Sequence, residues 1–317
     1  MNNIIDKIQS SNNIVLLCHN NPDGDAIGST LSMYYILTKL GKEVDIVINK
    51  PPKRFNFLEG FQDIKEESSK DYDTAIILDT ATIDRVNDPS NILSRVKRKY
   101  VIDHHISNTM YGDENLVEER PSCCQVVYDI VKKLNIKITK ELGEALITGL
   151  LTDTGGFSHQ DVLPSTFAMA EELSKIVNIS SIYDKALKAI TRNQFNIKQI
   201  YLNNLEFYYD GKVAISYITE EDMINTGVDQ NDCGILVNIP LEIDAVEVSI
   251  FLRKYKEETR ISLRSKNINV NEITKLFGGG GHIYAAGVTV DMPYNEIRTK
   301  ILEEVGKRVN EWSLSSK

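Results

Sequence analysis

Four segments of this chain each end an apolar run with residues that bind metals or move protons. The first is HNNPDGDAIGS, residues 19–29, which places His19, Asp23 and Asp25 within seven positions. Carboxylates two apart in an extended turn can aim at neighbouring cations, and Gly24 lets the backbone bend between them. Taken alone, Asp23-Gly24 reads as a turn and Asp25 as a helix N-cap; the histidine beside them favours the ligand reading. Asp79 closes the run AIILD. A carboxylate leaving a buried strand is costly unless it meets a cation or hydrogen-bond donors. Asp103-His104-His105 closes a third run, VID. Adjacent histidines after a core strand point in different directions, so one can hold a metal while the other faces substrate. Asp153 follows ALITGLL and precedes Gly155-Gly156. By itself it is a cap or turn residue, and it gains meaning as the last member of the set. Of the five histidines, His19, His104, His105 and His282 all lie in such clusters, whereas His159 reads as an ordinary polar residue.

His19, Asp23, Asp25, Asp79, His104 and Asp153 supply four carboxylates and two imidazoles. That donor mix suits Mn²⁺, with Mg²⁺ or Co²⁺ as alternatives, better than a thiolate-loving ion. Two ions about 3.5–4 Å apart need a bridging carboxylate and hold a water acidic enough to attack phosphorus. A fifth cluster, GGGGHIYAAG, begins at Gly278. Successive glycines expose backbone N–H groups to an anion, and His282 adds a donor. It is neither a Walker loop nor a Rossmann fingerprint, and a lone glycine run is ordinarily a flexible loop. Arg264, on the segment RISLRS, offers a planar fork for a phosphate.

The elements that must position these residues alternate short β-branched runs with helical patterns, the signature of parallel strands joined by crossovers. Residues 14–17, 44–48, 74–78 and 100–102 read as strands, and residues 26–40, 124–134 and 140–152 as helices. Each strand runs into a polar cluster at its carboxyl end, where open α/β sheets bind ligands. Residues 165–200 read as helical and increasingly polar. Beyond them the period changes to two: LEFYYDGKVAISYI carries an Asp210-Gly211 hairpin signal, and AVEVSIFLRK with TRISLRS forms another hairpin. A helix at 270–276, a strand AAGVTV and a terminal helix at 294–312 complete the pattern. The expected fold is α/β, a mainly parallel-sheet domain over residues 1–185, a helical linker over 186–200, and a smaller mixed-sheet domain over 201–317. The active site is expected in the cleft between the two domains.

A chain of 317 residues is longer than one core usually supports, which agrees with two domains. Its 42% hydrophobic and 26% charged composition is that of a folded protein. The start lacks a leader pattern and no window approaches a membrane span, so a cytoplasmic location is expected. Cys18, Cys123, Cys124 and Cys233 have neither metal-finger spacing nor a disulfide pattern. The net charge is −9, and residues 200–317 hold 13 basic against 18 acidic residues. Long duplex nucleic acid is therefore a poor substrate candidate.

Taken together, the motifs resemble the DHH phosphoesterases, and within them the NrnA-like subgroup that carries the DHH-associated C-terminal domain. His19 to Ser29 is similar to the first motif, Leu78-Asp79-Thr80 to the second, Asp103-His104-His105 to the motif that names the family, and Thr152-Asp153-Thr154 to the fourth. Gly278 to His282 with Ala285-Ala286-Gly287 resembles the glycine-rich motif of the C-terminal domain. The resemblance spans nearly the whole chain. It implies that His19 and Asp23 hold one ion, that Asp25, His104 and Asp153 hold the other, and that Asp79 bridges both. It further implies that Asp103 orients a ligand histidine and that His105 faces the phosphate. Arg264, Gly279, Gly280, Gly281 and His282 are expected to grip a second phosphate, with Asn108 also on the substrate side. PSCCQVVYDI departs from the Ser-Ser/Thr and Glu of the family at Cys123, Cys124 and Gln125.

The implied activity is metal-dependent hydrolysis of short oligoribonucleotides to 5′-mononucleotides, with pAp dephosphorylation beside it. Turnover of pApA or cyclic di-AMP is the alternative within the fold, and a non-catalytic nucleotide sensor the alternative outside it. No membrane partner is expected, and a homodimer is among the assemblies this reading allows.

Overall fold

The computed structural model describes residues 1–228 and 231–315. The chain divides into two compact units, Met1–Ala189 and Ile190–Lys317.

The first unit is built on a five-stranded sheet of β1 (Asn13–Leu17), β2 (Glu43–Ile46), β3 (Thr74–Leu78), β4 (Arg98–Asp103) and β5 (Glu114–Val117). The spatial order is β2-β1-β3-β4-β5 and every pairing is parallel. The strands read as continuous apolar runs because both faces are covered. Ile14, Leu16, Ile76, Leu78 and Ile102 pack into one core with the helices, while Val15, Leu17, Ala75, Ile77 and Val101 pack into another on the opposite face. The helical side carries α1 (Asn2–Ser10), α2 (Gly24–Lys39), α3 (Cys123–Lys133), α4 (Lys140–Asp153), α5 (Pro164–Ser174) and α6 (Ile179–Tyr183). Strand order reverses between β1 and β3, and the carboxyl ends at such a switch point form a natural ligand crevice. His19 follows β1 there, Asp79 follows β3, and Asp103 ends β4.

The second unit holds β6 (Glu206–Tyr208), β7 (Val213–Thr219), β8 (Val248–Lys254), β9 (Thr259–Ser265), β10 (Gly280–His282) and β11 (Ala285–Val290). Their order is β10-β11-β9-β8-β7-β6, antiparallel except for the parallel pair β7 and β8. One face packs Ile250 and Leu263 against Ile297, Ile301 and Val305 of α10 (Tyr294–Ser315). The other packs Phe251 against Tyr201 of α7 (Arg192–Asn203), the two rings edge to face at 5.1 Å. Of residues 186–200, read from sequence as a helical linker, those from Arg192 onward belong to α7, which buries Ile197 in this second core. A π-helical turn over Asp184–Lys188 ends the first unit. Among the described residues the other α-helices are α8 (Glu220–Thr226) and α9 (Val270–Lys275). Among the described residues no helix is long and apolar enough to cross a membrane.

Candidate metal centre

The loop after β1 turns into α2 through Asp23, whose Oδ1 accepts the backbone N–H of Asp25 at 2.9 Å and of Ala26 at 3.1 Å. Asp23 is therefore the N-cap, and Asp25 lies in the first helical turn, fully buried. Asp25 is held from the other side by the start of α3: its carboxylate accepts the backbone N–H of Cys124 at 2.9 Å and that of Cys123. A helix N-terminus suits an anion because its first N–H groups have no partner within the helix. Asp79 follows β3 in a left-handed conformation, φ 51°, which a short polar residue tolerates better than most. Its backbone N–H bonds the Ile102 carbonyl at 3.0 Å, fixing the carboxylate at the end of the sheet.

Two groups of three residues result. His19, Asp23 and Asp79 form one, Asp25, His104 and Asp153 the other, and within each the ligand atoms lie within 4.8 Å of one another. Asp79 faces both groups: Oδ2 is 3.6 Å from His19 Nε2, and Oδ1 is 3.3 Å from His104 Nε2. His104 Nε2 is also 3.2 Å from Asp153 Oδ2. Both rings are oriented by a backbone carbonyl, His19 Nδ1 by Asn20 at 2.7 Å and His104 Nδ1 by Arg120 at 2.9 Å. A carbonyl only accepts, so each Nδ1 carries a proton and Nε2 is the ring atom turned to the cluster.

Asp103 serves a different residue from the ligand histidine expected of it. Its Oδ1 accepts the Nδ1 proton of His105 at 2.7 Å, and its Oδ2 accepts from Asn108 Nδ2 at 2.6 Å. The second Asn108 amide proton goes to the Thr80 carbonyl at 3.2 Å, and Asn108 Oδ1 accepts from the Met110 N–H at 2.7 Å. Asn108, expected on the substrate side, is thereby occupied in bracing Asp103 and its own loop.

The electrostatics of the cluster favour cations. Burial, joined by repulsion from Asp79, pushes the Asp25 carboxyl up, and burial with repulsion from Asp25 does the same to Asp153. Burial also opposes ionisation of Asp79, but His104 and His19 outweigh it and hold Asp79 below the usual carboxylate range. Burial disfavours charged imidazoles, yet Asp79 raises His19 to about 9 and His104 to about 10. Protons here occupy lone pairs that a divalent ion would take. Asp79 Oδ1 is buried and lacks a well-formed hydrogen bond, facing the His104 ring at 3.3 Å, a position that suits a cation. The donor set of these six residues therefore fits divalent metal ions, with Asp79 facing both groups. His19, Asp23, Asp79, His104, His105 and Asp153, together with Ala81 and Arg85, line a cavity of about 110 Å³.

In the second unit the glycine run is not a loose loop. Gly280 to His282 forms β10, paired with β11, and the register places His282 opposite Ala285, which in turn lies opposite Arg264 on β9. Directly paired residues project to the same face, so His282 and Arg264 share one row of the sheet. A Cβ on Gly279 would lie 2.5 Å from the Gly287 carbonyl, and one on Gly281 2.6 Å from that of Ala285. Those two glycines are required by close backbone approach, whereas a Cβ on Gly280 meets nothing within 4 Å. Burial draws the Arg264 guanidinium below its ordinary value, and its Nη1 donates to the Leu263 carbonyl at 2.9 Å.

Residues 13–150 match the model of the DHH family N-terminal domain, and residues 210–312 that of the DHHA1 domain. A protein of Thermus thermophilus named bifunctional oligoribonuclease and PAP phosphatase NrnA is 30% identical over 92% of this chain and 90% of its own. The chain belongs to the DHH family. A Bacillus subtilis protein of the same name is 25% identical over 90% of this chain and 92% of its own. The crystal structure of an exopolyphosphatase-related protein from Bacteroides fragilis superposes with a TM-score of 0.84 at 27% identity, covering 96% of this chain and 95% of that one.

Within this DHH chain, the departure at Cys123-Cys124 is explained by the contact itself. Asp25 is bound through the backbone N–H groups of both cysteines, which any side chain supplies. The Cys124 thiol instead fills space between two helices: a Cβ on Gly28 or Gly149 would lie 3.0 or 2.3 Å from its Sγ. Sequence reasoning missed Arg85 and Gly149. Neither residue type signals chemistry alone, and only tertiary packing sets them beside the cluster.

Proposed function

We propose that this chain hydrolyses short oligoribonucleotides to 5′-mononucleotides and removes the 3′-phosphate of pAp, using two divalent ions, with Mn²⁺ the best match to the donors. The observation that carries this reading is the shared position of Asp79 between two ligand groups at the switch point of the sheet, in a chain similar over 92% of its length to a relative named for both activities. The two reactions are one at the bond that breaks. Release of a 5′-mononucleotide and removal of a 3′-phosphate both cleave the bond from phosphorus to a ribose 3′-oxygen, so a single geometry serves both.

Bound at His19, Asp23, Asp79, Asp25, His104 and Asp153, divalent ions supply Lewis-acid polarisation and an acidified water. The protein's own part is to hold and protonate. His105 is half exposed to the cavity, and the hydrogen bond from its Nδ1 to Asp103 raises its pKa. That leaves Nε2 able to carry a proton to the departing 3′-oxygen. Asp103 is buried and braced by Asn108, so the imidazole keeps its orientation through the cycle. Arg264, Gly280 and His282 are assigned to the nucleotide's other phosphate, by planar fork, backbone N–H and imidazole.

The test is chromatographic analysis of products after incubation with Mn²⁺ and, separately, a five-nucleotide RNA, pAp, pApA, cyclic di-AMP and pyrophosphate, with Asp79→Ala alongside. Mononucleotides from RNA and AMP from pAp, by the unaltered protein alone, are the expected result. Turnover of pyrophosphate only, or of nothing despite tight nucleotide binding, overturns the reading.

A further inference from the structure

Arg85 stands in the wall of the metal-centre cavity, and neither the reading of its motifs nor the family match gives it a task. Its backbone is pinned to the ligand loop. The Arg85 carbonyl accepts the Asn20 N–H at 2.7 Å, Asn87 N–H bonds the Cys18 carbonyl at 2.7 Å, and His19 and Val86 form an antiparallel bridge. The side chain lines the same cavity as Asp23, Asp79 and Asp153, yet among the described residues its guanidinium makes no ion pair and no hydrogen bond. The carboxylates face the imidazoles instead, at 3.2 to 3.9 Å.

Charge counting gives this arrangement a purpose. Four ionised aspartates cancel the charge of two divalent ions, so the loaded centre is close to neutral toward an incoming phosphate. Among the residues lining the cavity, Arg85 is the one arginine or lysine. We propose that Arg85 binds the non-bridging oxygens of the scissile phosphate, contributing the positive charge that the balanced metal centre lacks. This rests on the phosphoesterase reading for its substrate, but the chemistry it asserts is narrower: recognition of a phosphate group. A guanidinium meets two phosphate oxygens at once through its planar fork, which an ammonium cannot do. A dianionic terminal phosphate, as in pAp, depends on it more than a monoanionic diester.

The experiment uses the full-length Mn²⁺-loaded protein and its Arg85→Ala, Arg85→Gln and Arg85→Lys variants. The bound-metal stoichiometry should stay unchanged, because the segment is held through the Arg85 carbonyl rather than its side chain. Calorimetric affinity for inorganic phosphate should fall about 10- to 100-fold in Arg85→Ala and Arg85→Gln, the scale of one charged hydrogen-bonded contact, with partial recovery in Arg85→Lys. The kcat/KM for pAp should fall by more than that for pApA. Phosphate affinity in both Ala and Gln variants within about twofold of the unaltered protein overturns the assignment, since a lost charged contact is worth more than that. If phosphate binding depends on Arg85 while the unaltered protein cleaves no nucleotide, the Arg85 site stands and the nucleotide reading falls. If RNA and pAp are cleaved with indifference to Arg85, the nucleotide reading stands and the Arg85 site falls.

Discussion

Gly149 lies against Asp25 so closely that a Cβ on the glycine would fall 2.4 Å from Asp25 Oδ1. The same Cβ would be 2.3 Å from Cys124 Sγ, so neither neighbour can yield without disturbing the other. Gly149→Ala should therefore displace the Asp25 carboxylate and cost about 1–3 kcal/mol of stability as an overpacked core site. Metal analysis should find the Asp25, His104, Asp153 group depleted and turnover largely lost. Full metal content in a stable Gly149→Ala protein would remove the steric argument.

Asp103→Asn tests the hydrogen bond that sustains His105. Asp103 raises the His105 pKa, so the protonated ring persists to higher pH than a free imidazole. If His105 acts as the acid, activity falls as pH rises through that pKa, and removing the carboxylate must move the alkaline limb of the kcat profile to lower pH. Loss in kcat should be about 10²–10⁴-fold for His105→Gln, the usual range for a missing general acid. Bound Mn²⁺ should be unaffected by either change.

Metal removal has a proton signature. With His19 raised to about 9 and His104 to about 10, both rings are charged at neutral pH in the metal-free protein. Metal binding must expel those protons together with the one held by Asp153, whose carboxyl is raised to about 9, so calorimetry at pH 7.5 in buffers of different ionisation enthalpy should count roughly three released. The linkage has a definite sign. The two imidazoles are raised above their ordinary value of about 6.5, so their stabilisation of the metal-free fold is complete below that pH. It is lost as pH rises through about 9 and 10, and thermal unfolding of the metal-free protein should show that decline.

The glycine motif separates packing from binding. Gly281, with φ 149° and a Cβ that would meet the Ala285 carbonyl at 2.6 Å, should not tolerate alanine, and Gly281→Ala should destabilise the protein by about 1–3 kcal/mol. Gly280 has open space around its Cβ position, so Gly280→Ala should leave the melting temperature nearly unchanged. Its KM for pAp should nonetheless rise if a phosphate approaches that backbone. An unaltered KM would show that the glycine serves the hairpin alone.

Elements with strong periodicity were legible in the chain itself. Thr74–Leu78 is buried throughout on a two-faced sheet, so its apolar run is unbroken. By contrast β5 (Glu114–Val117) has one buried residue, Leu116, because it is an edge strand, and nothing in ENLV announces it. The amphipathic α1, burying Ile4, Ile5 and Ile8, went equally unread. Residues 186–200 read as a helical linker, and nothing in their polar pattern shows that α7 runs on to Asn203, where Tyr201 closes against Phe251.

The sequence by itself determined which side chains are candidates for chemistry, because Asp and His at the ends of buried runs are costly without partners and so stand out from their surroundings. It also determined the alternation that makes the first sheet parallel. Tertiary structure alone decided which partner each group serves: Asp103 turns to His105, the Arg120 carbonyl aims His104, and backbone N–H groups at the start of α3 hold Asp25. Those choices depend on distances of a few ångströms between segments up to 99 positions apart, set by strand register and helix packing, and no local pattern of residue types encodes them.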